Sequence, residues 1–289
     1  MRIDSILKEP TFLKKLINSD FLPKLISSFS DYDNIYVIIT YYEGQSLDYF
    51  RDKILTEEQI KFVSACVIQS LIHLREQKII HRDIMMKNII MDNDRYFNLI
   101  DFSFSINYSD RKSKKKNMLT YNKVTPPEIL NRLEYDYNSD YYRLGSVIYY
   151  LIFKKYPFNV KIENNITDIF INYETVKNYS YSCIDFLNKL LLSDYKKRLG
   201  FGNISELTNH YWLKDFNWTL LRNREMVSPF QFIKNANNES FCNKFTNLIQ
   251  YVIRYRIQQN KYLYKILIKN FDFVNKLITR KIFLNFNKK

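Results

Sequence analysis

Glycine is almost missing from this chain: Gly44, Gly145, Gly200 and Gly202 are the only four in 289 residues, and none precedes Gly44. A glycine-rich turn whose backbone amides close on a phosphate chain is therefore excluded from the first 43 residues of this sequence. Cysteine is just as scarce. Cys66, Cys183 and Cys242 are far apart, which excludes a disulfide framework and a clustered thiolate site and suits a reducing cytoplasm or nucleus. The three histidines, His73, His81 and His210, share no ligand spacing. Apolar runs such as Val147 to Phe153 are too short to span a bilayer, and Met1 to Pro10 lacks the apolar stretch of a secretory signal. No motif of specific nucleic-acid recognition occurs.

The chain does have enough apolar side chains, 46% of residues with 17% aromatic, to bury one large core or two modest ones. Its net charge of +14 is concentrated in Arg111 to Lys116 and in the tail beyond Ser240, so an acidic partner or an anionic membrane surface is the expected complement. Apolar spacing predicts a helix from about Pro10 to Ser19. Tyr36 to Tyr41, β-branched and aromatic, reads as a strand, with Leu25 to Phe29 as its antiparallel partner. Thr56 caps a long helix whose apolar positions run from Ile60 to Leu74. Short strands follow at Ile89 to Met91 and Phe97 to Ile100, around a turn at Asp92 to Arg95. Helices are expected over Asn138 to Phe153, Ile166 to Tyr173, Ser182 to Leu192 and Ile204 to Asn209. In the tail, Ile249, Val252, Ile253, Ile257 and later apolar residues recur at roughly helical spacing among Arg254, Arg256 and several lysines. A basic amphipathic helix lying on a membrane, one binding a partner groove, and one packed back on the body are the open readings.

The chemistry concentrates in His81-Arg82-Asp83-Ile84-Met85-Met86-Lys87-Asn88 and, after a turn, Asp101-Phe102-Ser103. Phosphoryl transfer needs an oriented hydroxyl, a metal clamp on the phosphates and positive groups against developing charge. A loop aspartate, an amide five residues later and a second carboxylate supply the first two. Further along stand Pro126-Pro127-Glu128, Asp140-Tyr141-Tyr142-Arg143-Leu144-Gly145 and Lys197-Arg198-Leu199-Gly200.

In that order these motifs resemble the eukaryotic protein kinases, from about Glu9 to Trp218, with most of the N-lobe missing. The stretch His210 to Trp218 is similar to the end of the core in the AGC group of serine/threonine kinases. The resemblance implies an α+β fold: a residual N-lobe of one helix and a small antiparallel strand pair with the hinge (residues 1–43) and a mainly helical C-lobe (44–218), beyond which the apolar spacing predicts a basic helical tail (219–289). It implies a serine/threonine phosphotransferase using ATP and Mg2+ on a protein hydroxyl. Asp83 is then the base, Asn88 and Asp101 the metal ligands, and Arg82 and Lys87 further catalytic-loop residues. Thr40 and Tyr42 offer hinge hydrogen bonds to adenine, and Ile90 its floor. Asp140 would hold the catalytic-loop backbone, and Arg198 would pair with Glu128. His81 and Phe102 correspond to two members of a hydrophobic stack, with Leu13 and Ile35 above them.

The sequence also departs from that pattern. The glycine-rich loop and strand lysine of the family would precede Glu9, the helix glutamate that lysine pairs with. Met85 stands where serine/threonine kinases place a lysine, with Lys87 as a possible replacement, and Ser103 stands in place of the metal-turn glycine. Arg82 is retained either to grip a phosphorylated residue, with Ser109, Ser113 and Thr120 as candidates, or for packing. Two functions remain: an active kinase, or a pseudokinase acting as a binding module.

Overall fold

The computed structural model describes residues 3–30, 34–110, 124–131, 133–134, 136–157, 170–176, 178–233 and 250–256. The basic run from Arg111 to Lys116, the candidate phosphosites Ser113 and Thr120, Cys242, residues 166–169 and the tail after Arg256 lie outside them.

The small lobe opens with helix α1, Ile3–Lys15, which starts earlier and ends earlier than apolar spacing predicted. Pro10 sits inside it, while Ser19 falls beyond two tight turns in which Leu16 N–H bonds Leu13 O and Ser19 N–H bonds Leu16 O. Strands β1, Leu25–Ser30, and β2, Asn34–Thr40, pair antiparallel as their composition predicted, with Phe29 opposite Tyr36 and an irregularity between Leu25 and Ser27. Phe12 and Leu13 of α1, Leu16 just after it, and Ile35, Val37 and Ile39 of β2 are all buried in the common core, so alternate residues of β2 face that core.

The large lobe is built on α2, Glu57–Glu76. Thr56 and Gln59 form a reciprocal capping box at its start, satisfying two backbone donors that a helix end would otherwise leave open. Strand β3, Ile79–Ile80, leads into the loop at His81, and β4, Ile89–Met91, pairs with β5, Phe97–Leu99. Strand β6, Ile106–Asn107, returns to β3. The short helix α3, Pro127–Leu130, precedes α4, Tyr137–Phe153, whose buried residues include Asp140 and Arg143, and α5, Tyr181–Leu190, packs on α4. Tyr173 opens a single 3-10 turn, Tyr173–Thr175, rather than ending a helix. Helices α6, Ser205–Asn209, and α7, Trp218–Arg222, complete the lobe. No helix among the described residues is long and apolar enough to cross a membrane.

The expected tail is corrected in two respects. Residues 219–233 belong with the large lobe: Leu221 and Phe230 are in its core, Arg224 pairs with Asp92, and Tyr96 Oη–H and Ser228 Oγ–H bond Met226 O (2.6 Å) and Arg95 O (2.8 Å). Further on, Gln250–Arg256 is not helical but forms β7, antiparallel to β2, giving the sheet order β1-β2-β7. Tyr-Val-Ile-Arg-Tyr is rich in strand-forming types, and its pairing makes β2 the central strand of the sheet.

Candidate active site

The loop after β3 bends sharply because Arg82 adopts φ 68°, a region unfavourable for a side chain with a Cβ. Asp140, one turn into α4, holds that bend from below. Its two carboxylate oxygens accept His81 N–H (2.7 Å) and Arg82 N–H (2.8 Å). Burial pushes the Asp140 carboxyl up, against the pull of His81, these N–H groups and Arg143. His81 is fully buried, and that burial holds its imidazole below the ordinary range. A neutral ring satisfies both neighbours: Nδ1 accepts Asp83 N–H (3.3 Å) while Nε2–H donates to Ile100 O (3.1 Å).

Asp83 is only 7% exposed, and its Oδ2 accepts Asn88 Nδ2–H at 2.8 Å; the same amide nitrogen donates to Asp83 O, also at 2.8 Å. Both partners are acceptors, so the amide orientation is determined and Asn88 Oδ1 is turned away from Asp83. Ile100 N–H donates to Asn88 O (2.9 Å), tying the loop to the turn that carries Asp101. Asp101 has φ 69°, and its Oδ1 accepts Ser103 Oγ–H (2.6 Å) and Ser103 N–H (3.2 Å). Phe102 is buried edge-on against His81, ring centroids 4.9 Å apart, and its N–H donates to Glu9 Oε1 of α1 at 3.2 Å. Leu13 and Ile35 are buried in the same core as Phe102.

Glu128 and Arg198 meet as expected. Arg198 Nη1–H and Nη2–H bond the two carboxylate oxygens at 2.8 and 2.9 Å, with both side chains buried. Arg198 also donates to Asn138 O and Leu192 O, and Ser139 Oγ–H donates to Glu128. Arg82 Nε–H donates to Phe104 O at 2.7 Å, anchoring the segment beyond Asp101.

At the hinge, Thr40 N–H is already committed to Lys24 O (3.0 Å), and its hydroxyl accepts Lys24 N–H (3.1 Å). Tyr42 is partly buried, which pushes its phenol up to about 12 and keeps it neutral. Gly44 passes so close to β4 that a Cβ there would lie 2.5 Å from Met91 O, and Met91 N–H bonds Gln45 O. This contact seats the hinge exit on β4, where Ile90 bridges to Ser46. Lys87 is exposed and makes no hydrogen bond or ion pair with Asp83, Asn88 or Asp101 among the described residues.

Magnesium takes hard oxygen ligands, and the fitting donors are Asn88 Oδ1 and the Asp101 carboxylate. No group of three His, Cys, Asp or Glu side chains that could hold a metal occurs among the described residues, so the other ligands would come from phosphates and water. The Ser103 bond to Asp101 was not foreseen, although an Asp-x-Ser sequence invites such a turn. Nor was the Phe104 carbonyl that receives Arg82.

The protein kinase domain model matches residues 1–213. Serine/threonine-protein kinase sgk-1 of Caenorhabditis elegans is 29% identical over 248 residues, covering 84% of this chain and 54% of the relative. Rhodopsin kinase GRK1 of Homo sapiens is 29% identical over 228 residues, covering 74% and 40%, and serine/threonine-protein kinase Sgk1 of Danio rerio is 27% identical over 230 residues, covering 78% and 53%. The chain spans about half the length of the curated relatives it matches.

Proposed function

The chain belongs to the protein kinase family, serine/threonine type, and we propose that it transfers the terminal phosphoryl group of ATP to a protein hydroxyl in a magnesium-dependent reaction. The observation that carries this reading is the bonded set Asp83–Asn88–Ile100, which holds an acceptor carboxylate and an outward amide oxygen beside the Asp101 turn.

Asp83 has Oδ2 committed to Asn88 and so has Oδ1 for the substrate hydroxyl, whose proton it accepts as the oxygen attacks the terminal phosphorus and the bond to the bridging oxygen breaks to release ADP. Asn88 Oδ1 and Asp101 would hold magnesium, which offsets charge on the phosphate oxygens. Neutral His81 keeps the Asp83 backbone in register, and Asp140 prevents the loop from relaxing out of its left-handed bend. Arg198 and Glu128 stabilise the lobe beneath without touching substrate. The fitting partners are protein hydroxyls, with an acidic surface complementary to the chain's net charge of +14.

One observation favours a second reading, a catalytically weak binding module. Met85, partly buried, stands where the family's phosphate-contacting lysine is found, and Lys87 is not drawn into the set. Losing one charged phosphate contact costs about 1.5–3 kcal/mol, ten- to a hundredfold in rate. The deciding experiment measures magnesium-dependent ATP binding by the purified chain and phosphate transfer to a serine/threonine peptide mixture, with Asp101→Ala and Asp83→Asn as controls. The kinase reading expects binding to be lost in the first variant and transfer in the second. Binding without transfer selects the second reading; no magnesium-dependent binding by the unaltered chain sinks the kinase reading.

A further inference from the structure

Ser103 does more than occupy a position where the family has glycine. Its N–H and its hydroxyl both donate to one atom, Asp101 Oδ1, at 3.2 and 2.6 Å. A carboxylate oxygen offers two lone-pair sites, and both on Oδ1 are taken. Oδ2 makes no hydrogen bond among the described residues. The left-handed backbone of Asp101, φ 69°, folds the chain so that residue 103 reaches back to residue 101.

We propose that Ser103 makes Asp101 a one-oxygen metal ligand, so that this site holds a single divalent ion. The inference rests on the phosphotransferase reading above. A carboxylate that binds one ion through both oxygens, or bridges two, must present both; here one is saturated. The saturating contact is of the strong kind, a short O–H to O⁻ bond. Ser103 is 5% exposed, so water does not readily replace its hydroxyl. An ion that used Oδ1 would have to displace that hydroxyl first. Ser103 is therefore a positioning residue that acts through Asp101 and sets the number of ions and the affinity. A glycine at the same place would keep the N–H bond and leave one lone pair open.

The test is a Mn2+ titration followed by electron paramagnetic resonance on the full chain, alone and with ATP. The unaltered protein is compared with Ser103→Ala and Ser103→Gly, with Asp101→Ala as the control that removes the ligand. The expected result is one Asp101-dependent ion in the unaltered chain. Both Ser103 variants should bind it roughly three- to tenfold more tightly, the range an ordinary net hydrogen bond commands, and take up a second ion with ATP. Unchanged or weaker Mn2+ binding in both variants overturns the proposal, as does Mn2+ binding that is the same with and without Asp101. If Ser103 alters ion binding but no form of the chain binds ATP, the ligand assignment stands and the phosphotransferase reading fails.

Discussion

The two lobes hold their charged groups in different ways. In the large lobe, Arg198 and Glu128 make a bidentate pair with side chains 0% and 2% exposed, and every visible partner of that pair is itself fixed by α4 or by the turn after α5. The small lobe meets the segment beyond Asp101 through Lys8 and Asp110, a 3.3 Å pair with side chains 36% and 35% exposed. Between the two, the buried links among the described residues include Phe102 N–H to Glu9 Oε1 and Ser70 Oγ–H to Phe21 O. A buried pair in a low-dielectric lobe cannot be broken without stranding a charge, whereas an exposed pair exchanges its partner for water. The Asp83 carboxylate is thus held from below, by Asn88 and by the loop backbone that Asp140 bonds, and not by the ion pairs of the small lobe.

Four substitutions test that contrast. Glu128→Gln should have the largest effect, about 3–5 kcal/mol of unfolding free energy in urea titration, because Arg198 is left charged and buried. A loss below about 1 kcal/mol would mean that the large lobe relaxes as easily as a surface. Leu13→Ala removes a fully buried side chain where α1 meets the core and should cost about 2–4 kcal/mol, showing that the small lobe is held by packing rather than by charge. In Thr56→Ala the capping box of α2 is lost, and the expected change is about 1 kcal/mol, read as a lower thermal midpoint. Lys8→Ala should shift stability by less than about 0.5 kcal/mol, and less still in high salt. A larger loss there would place the Lys8–Asp110 contact among the structural pairs and erase the distinction between the lobes.

Much of the large lobe was legible in the sequence because its signals are local or ordered. Thr56 and the apolar positions from Ile60 to Leu74 announce α2, apolar and β-branched residues around a turn announce β4 and β5, and the spacing of Asp83, Asn88 and Asp101 announces the site. Glu128, Asp140 and Arg198 were assigned through the resemblance to the kinases, whose motifs stand in the same order in this sequence. The small lobe was harder to read. Strand β7 sits in a stretch whose apolar residues also match a helical period, and only the edge of β2, at the other end of the chain, selects the strand. Residues 223–233 carry no periodic signal, yet Arg224, Ser228 and Phe230 find partners on the turn between β4 and β5 and in the core.

By itself the sequence determined which groups are available: a loop carboxylate, an amide, a second carboxylate, a cation and an anion at Arg198 and Glu128, and a serine in place of glycine. Covalent spacing and side-chain chemistry are enough for that, since both are local properties. Only the tertiary structure decided how the groups are spent. It set both Ser103 donors on one oxygen of Asp101, turned Asn88 toward Asp83, committed Thr40 N–H to Lys24, and brought β7 to β2. Those outcomes depend on contacts between distant residues and on hydrogen-bond satisfaction in a closed interior, which no local pattern encodes.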